Sequence, residues 1–156
     1  MNFSRSSATR VPVPDPATTA GAVTRGSMRL LADLGFRCLT EFKLTSKRRV
    51  DVAGLDKAGR FAVVEVKSSL ADLRADTKWP EYLAYADWFY FAVDDAFPLD
   101  RLPLDVGIIV ADAHGGAIQR PATESPVNAS RRRAQVLRFG LTAADRLTGL
   151  IDPRSR

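Results

Sequence analysis

Two carboxylates and an ammonium, Asp51, Glu65 and Lys67, are the side chains of this sequence whose types and spacing could do chemistry together. They lie in the stretch Arg48 to Lys67, RRVDVAGLDKAGRFAVVEVK. Arg49-Val50-Asp51-Val52-Ala53 alternates with the period of two that marks a strand, and Arg60 to Lys67 does so again around a β-branched core. Between them, Asp56 to Arg60 reads as a hairpin with a three-residue loop, in which Gly59 supplies a left-handed residue. That loop length sets the register. With Asp56 facing Arg60, counting back along both strands puts Asp51 directly opposite Glu65.

Directly opposite residues share a face, with Cβ atoms about 4.5–5.5 Å apart. Lys67, two residues beyond Glu65, shares that face as well. Facing carboxylates repel, and a divalent cation would remove the penalty. Hard oxygen ligands suit Mg²⁺ or Mn²⁺, and Mg²⁺ usually takes one or two carboxylates with water and phosphate. Lys67 could orient or deprotonate a water, or hold a phosphate oxygen.

Asp51, followed after a hairpin by Glu65-Val66-Lys67, resembles the D…ExK signature of the PD-(D/E)XK nuclease superfamily, with Val50 where the superfamily's name has proline. A longer string is more specific. Arg48-Arg49-Val50-Asp51, Glu65-Val66-Lys67-Ser68-Ser69, Asp72, Asp76-Thr77-Lys78-Trp79, Tyr82 and Phe89-Tyr90-Phe91-Ala92-Val93 resemble the MmcB-type bacterial DNA repair proteins, over roughly Arg29 to Leu150. The resemblance implies a single α/β domain, a mixed sheet flanked by helices with an αβββαβ core. It also implies a Mg²⁺- or Mn²⁺-dependent DNA endonuclease. Asp51, Glu65 and the backbone carbonyl of Val66 would hold the metal, and Lys67 would serve catalysis. DNA and other repair proteins are the implied partners. Many relatives of this fold dimerise, so a homodimer is an expectation too, although no interface is legible in the sequence.

The surrounding elements must carry this hairpin. Thr18 or Thr19 can cap a helix running through Val23, Met28, Leu30, Leu31 and Leu34 and stopping at Gly35. Phe36 to Leu44 reads as the first strand, with Cys38, Thr40 and Phe42 on one side and Leu39, Glu41 and Lys43 on the other. The turn Thr45-Ser46-Lys47 brings Glu41 onto the face and nearly the row of Asp51. Glu41 then either adds a third acid to the metal site, as superfamily members often do, or pairs with Lys43, Lys47 or Arg49.

Ser69-Leu70-Ala71-Asp72 has capping-box spacing, and Asp76-Thr77-Lys78-Trp79-Pro80 opens a further helix through Tyr82, Leu83 and Ala86. Lys78 either reaches the substrate phosphate, as the resemblance to D…ExK nucleases implies, or only serves that helix start beside Asp76. Asp87 to Val93 and Val106 to Ala111 read as buried strands. The chain then turns at Asp112 to Gly116, which carries its one histidine, His114. After a polar loop from Pro121 to Asn128, Arg131-Arg132-Arg133 opens a final stretch, and Thr142 starts a capped C-terminal helix. Arg49, Lys78, Arg131, Arg132 and Arg133 are the basic candidates for DNA contact.

Composition sets the bounds. The 156 residues suit one domain, expected over residues 18–150 between flexible tails at 1–17 and 151–156. The start lacks a secretory apolar centre and no run could span a bilayer, so a cytoplasmic location without membrane contact is expected. The single Cys38 excludes an internal disulfide and a cysteine-based zinc site. The net charge of +5 permits nucleic-acid binding without requiring it, since each tail supplies one of those charges. A Mg²⁺-dependent endonuclease of DNA repair therefore stands beside a non-catalytic DNA-binding or scaffold module, and metal binding at Asp51 discriminates them.

Overall fold

A computed structural model describes residues 10–153. The order is α1 (Thr19–Asp33), β1 (Arg37–Lys43), β2 (Arg49–Leu55), β3 (Phe61–Val66), α2 (Leu70–Ala75), a 3-10 helix (Trp79–Tyr85) and β4 (Trp88–Val93). A short 3-10 turn (Leu99–Arg101), β5 (Gly107–Ala111), β6 (Gly116–Arg120) and α3 (Ala129–Ile151) complete it. The six strands form one sheet in sequence order. β1, β2 and β3 pair antiparallel, β3, β4 and β5 parallel, and β6 returns antiparallel on β5. The expected αβββαβ core is thus present, extended by β5, β6 and α3.

Local chemistry explains these elements. The Thr18 side chain accepts from Gly21 N–H at 3.0 Å and caps α1, and the chain leaves that helix through Gly35. Gly21 is required there because a Cβ would lie 1.8 Å from the carbonyl oxygen of Asp15. Residues 10–17 run back along the domain, and the Pro12 carbonyl accepts from the Thr40 hydroxyl at 2.9 Å. The first nine residues of the tail expected over 1–17, and the last three of the one over 151–156, lie outside the described residues. Gly59 takes φ +79° in the β2–β3 loop, and Asp56 N–H donates to the Arg60 carbonyl at 3.0 Å. The hairpin register is the one its loop length dictates.

The sheet is buried on both faces. Val23 and Leu31 of α1 pack on Val52, Val64 and Tyr90 of the sheet. Phe42, Phe61, Phe91 and Phe139 lead the opposite core, where the Phe139 ring of α3 lies 5.5 Å from Phe42 and 6.1 Å from Phe61. Among the described residues, no helix is long and apolar enough to cross a membrane.

Four local expectations are corrected. The helix after α2 is a 3-10 helix, with Pro80 in its first turn. Ala117 to Arg120, read as the sequel to a turn, belong to strand β6. The C-terminal helix does not start at Thr142 but runs unbroken from a cap at Asn128, whose Oδ1 accepts from Ser130 and Arg131 N–H. Gly140 inside it is tolerated at a cost of about 1 kcal/mol. Finally, β1 does not alternate throughout. Cys38 packs on the α1 side, yet Phe42 joins Leu39 in the core beneath α3, because Glu41 takes φ +46° and turns the strand over.

Candidate functional site

Asp51 and Glu65 meet where the β2–β3 ladder ends. The last backbone pair is Val52 with Val64, so the next row is Asp51 with Glu65. There the side chains replace the ladder bonds. Asp51 N–H donates to Glu65 Oε1 at 2.9 Å, and Val66 N–H donates to Asp51 Oδ2 at 2.7 Å. Asp51 Oδ1 and Glu65 Oε2 have no protein donor among the described residues. The two strands therefore part at this row and hold two carboxylates in a fixed orientation between them.

Burial and mutual repulsion set the electrostatics. Glu65 is buried, and its carboxyl is pushed up to about 8, by desolvation first and then by the facing Asp51. Asp51 is also raised by burial, against the Val66 N–H and Lys67, which favour its charged form. Without a cation, this pair resists carrying two charges. The donor set that could hold a divalent metal is these two carboxylates with the Val66 carbonyl, leaving the other positions to water and phosphate. Among the described residues, no group of three or more acidic, histidine or cysteine side chains is arranged for a metal.

Lys67 is buried, but its ammonium is not shared between the two carboxylates. Lys67 Nζ bonds Asp76 Oδ2 at 2.7 Å, and both side chains are shielded from solvent. The other oxygen of Asp76 accepts from Lys78 N–H at 2.9 Å and Trp79 N–H at 3.1 Å, capping the 3-10 helix. Burial raises the Asp76 carboxyl, but these donors outweigh it and hold the group below the usual range. Asp76 thus joins the helix start to Lys67. The sequence placed Asp76 at a helix start and in the family-like string, but carried no sign that it would bind Lys67.

Tyr82 completes this wall. Its hydroxyl is pushed up to about 12 by burial and then by the charges of Glu65, Asp76 and Asp51. Asp72 Oδ2 accepts from Ser68 N–H at 3.2 Å while Ser69 Oγ accepts from Asp72 N–H at 3.1 Å, the reciprocal capping its spacing suggests. Lys78 contributes its backbone N–H to Asp76 and has an exposed side chain.

Glu41 does not add a third acid at the pair. Its row is that of Asp51, between Thr40–Val52 and Phe42–Val50, but the positive φ turns it outward. Its side chain is half-exposed and lies 3.8 Å from Arg49. Glu41 and Asp51 line a cavity of about 560 Å³ whose other wall includes residues 10–15. The turned backbone is held by Arg146 of α3, which donates to the Thr40 carbonyl at 2.7 Å and the Glu41 carbonyl at 3.1 Å. Arg146 carried no signal in the sequence beyond a polar position on a helix.

The arginine triplet is divided. Arg132 makes a two-point ion pair with the buried Asp87, at 2.8 and 2.5 Å, and donates to the Gly59 carbonyl at 2.7 Å. Arg131 stacks on the Tyr85 ring, 4.8 Å from its centroid. Arg133 is exposed. Two of the three cations are thereby drawn into the fold, and Arg49 is the predicted basic residue that stays beside Asp51 and Glu41.

A family model described as DNA repair protein MmcB-like matches residues 4–154. Among solved structures, the fold is similar to a protein of unknown function from Silicibacter pomeroyi, at 39% identity and a TM-score of 0.84, over 89% of this chain and 95% of that one. No curated protein matches.

Proposed function

We propose that this chain, which belongs to the MmcB-like family of DNA repair proteins, is a metal-dependent endonuclease that hydrolyses DNA phosphodiester bonds. The observation that carries this reading is the Asp51–Glu65 row, two half-desolvated or buried carboxylates fixed at the end of a hairpin with an ammonium two residues on. As a purely structural cluster it would be costly, because like charges are set face to face away from water. Asp51 and Glu65 would hold Mg²⁺ or Mn²⁺, with the Val66 carbonyl alongside. When bound, such a cation supplies Lewis-acid polarisation of a phosphoryl oxygen and a more acidic water.

The chain's own residues do the rest. Asp76 keeps the Lys67 ammonium in one place, from which it can neutralise charge developing on the phosphate. Arg49, at the edge of the same face, can meet the DNA backbone. The test is a Mn²⁺ titration by calorimetry on wild type and Asp51→Ala, with plasmid and branched-DNA nicking on the same samples. Loss of both binding and nicking in the variant is the expected result. Nicking that survives in Asp51→Ala would sink the site assignment.

A second reading, a non-catalytic DNA-binding or scaffold module of a repair complex, is favoured by one observation. Lys67 is bound to Asp76, and Arg131 and Arg132 are engaged within the fold, so few cations point at a substrate. Wild-type protein that binds DNA but no Mn²⁺ would establish that reading instead.

A further inference from the structure

α3 buries one face and carries apolar side chains on the opposite one. Gln135, Phe139 and Arg146 are buried against the sheet. At 100° per residue, Leu137, Gly140, Leu141, Ala144, Leu147 and Ile151 fall in one stripe on the far side. Leu137 is 64% exposed, Leu141 59%, Leu147 57% and Ile151 74%. Six of the eleven exposed large hydrophobic side chains among the described residues belong to this one helix, so the apolar surface is concentrated and not scattered. A contiguous exposed apolar stripe of this kind marks an interaction surface.

We propose that the outer face of α3 is the contact surface for a second copy of this chain, the two helices packing antiparallel across a two-fold axis at the level of Thr142 along the helix. The stripe is self-complementary about that residue. Gly140 and Ala144 stand two positions to either side, Leu137 and Leu147 five, and Arg133 and Ile151 nine. Under the two-fold, each Leu137 meets the partner's Leu147, and the small pair meets at the centre, where helices must approach closely. The outer side of Gly140 is open, with nothing within 4 Å of a Cβ built there.

Charge selects the occupant and its direction. The antiparallel arrangement sets Arg133 of each copy beside Asp152 of the other, once at each end of the seam. A parallel pair would stack Arg133 on Arg133 and Asp152 on Asp152. Two-fold contacts of this self-complementary kind are the commonest form of association in soluble proteins. The seam also lies on the back of the helix whose inner face holds Thr40 and Glu41 through Arg146. The proposal stands apart from the chemistry at Asp51.

Sedimentation velocity on the full chain tests it. Wild type at hundreds of micromolar should show twice the 17.1 kDa chain mass. Leu137→Glu with Leu141→Glu should give a monomer with unchanged helical circular dichroism, since both side chains are exposed. Arg133→Glu should weaken the dimer by roughly tenfold, and adding Asp152→Arg in the same chain should restore it. A monomeric wild type overturns the proposal and leaves the stripe to a partner of another sequence. A dimer that persists in the folded double leucine variant, or that the charge swap fails to restore, overturns it as well.

Discussion

The Lys67 ammonium is fixed by Asp76, nine residues further on, at 2.7 Å, although the Asp51 and Glu65 carboxylates share its face of the sheet. The lysine is thereby aimed by Asp76 and not by the carboxylate pair beside it. Asp76→Ala should therefore cost about 3–5 kcal/mol, the usual result of leaving one member of a buried ion pair alone. It should also abolish any nicking activity. Urea denaturation together with the nicking assay checks both. A variant that keeps full stability would show that the ammonium finds another partner.

Glu65 predicts how the metal-free protein responds to pH. Its carboxyl is raised from 4.5 to about 8 in the folded chain. Between those values the native state holds a proton that the unfolded state has lost, so stability falls as pH rises through that window. Melting in EDTA from pH 5 to pH 8 should show this decline, and Glu65→Gln should flatten it. Mn²⁺ should raise the melting temperature more at pH 8 than at pH 5. An equal shift at both ends would separate metal binding from this carboxylate.

The turned backbone at Glu41 makes a different test. Its φ of +46° suits glycine, so Glu41→Gly should change stability by less than about 1 kcal/mol, because relief of the strain offsets the added chain entropy. Glu41→Val should be clearly destabilising, as a β-branched residue rarely adopts that conformation. Mn²⁺ affinity should survive Glu41→Gly and vanish in Asp51→Ala. If calorimetry shows both losing the metal, Glu41 is a ligand after all.

Asp87 and Arg132 predict an acid limit. Burial raises the Asp87 carboxyl, but Arg132, Phe61 N–H and Val127 N–H together hold it below its usual range. Its stabilisation is present above the unfolded carboxylate range and is lost as pH falls through the folded value. Arg132→Leu should cost about 3–5 kcal/mol at neutral pH and much less in acid. Denaturant midpoints at pH 7 and pH 3 measure the difference. A cost that does not shrink in acid would mean that packing, not charge, is what Arg132 supplies.

The hairpin was legible because its information is local. A three-residue loop ending in Gly59 fixes the register, and the register alone brings Asp51 opposite Glu65. What stayed hidden depends on residues far apart in the chain. Nothing near Glu41 announces a positive φ, since the carbonyls that stabilise it are bound by Arg146. The arginine triplet looked like surface charge because Asp87 sits at the edge of an apolar run, with no sign that it would become the buried partner of Arg132. Thr142 resembled a cap only because the true one, Asn128, lies beyond a stretch of arginines that reads equally well as loop or helix.

The bond from Arg146 to Thr40 spans 106 residues, most of the folded chain. During synthesis the hairpin emerges early, and its strands can pair as soon as both are available. The edge beside Asp51 is another matter, because its shape waits for the last helix to leave the ribosome and dock. Long-range contacts of this kind form late and slow the approach to the native state. A nascent chain stopped short of α3 would carry the two carboxylates on an unfinished edge, so the order of translation itself delays the assembly of the site.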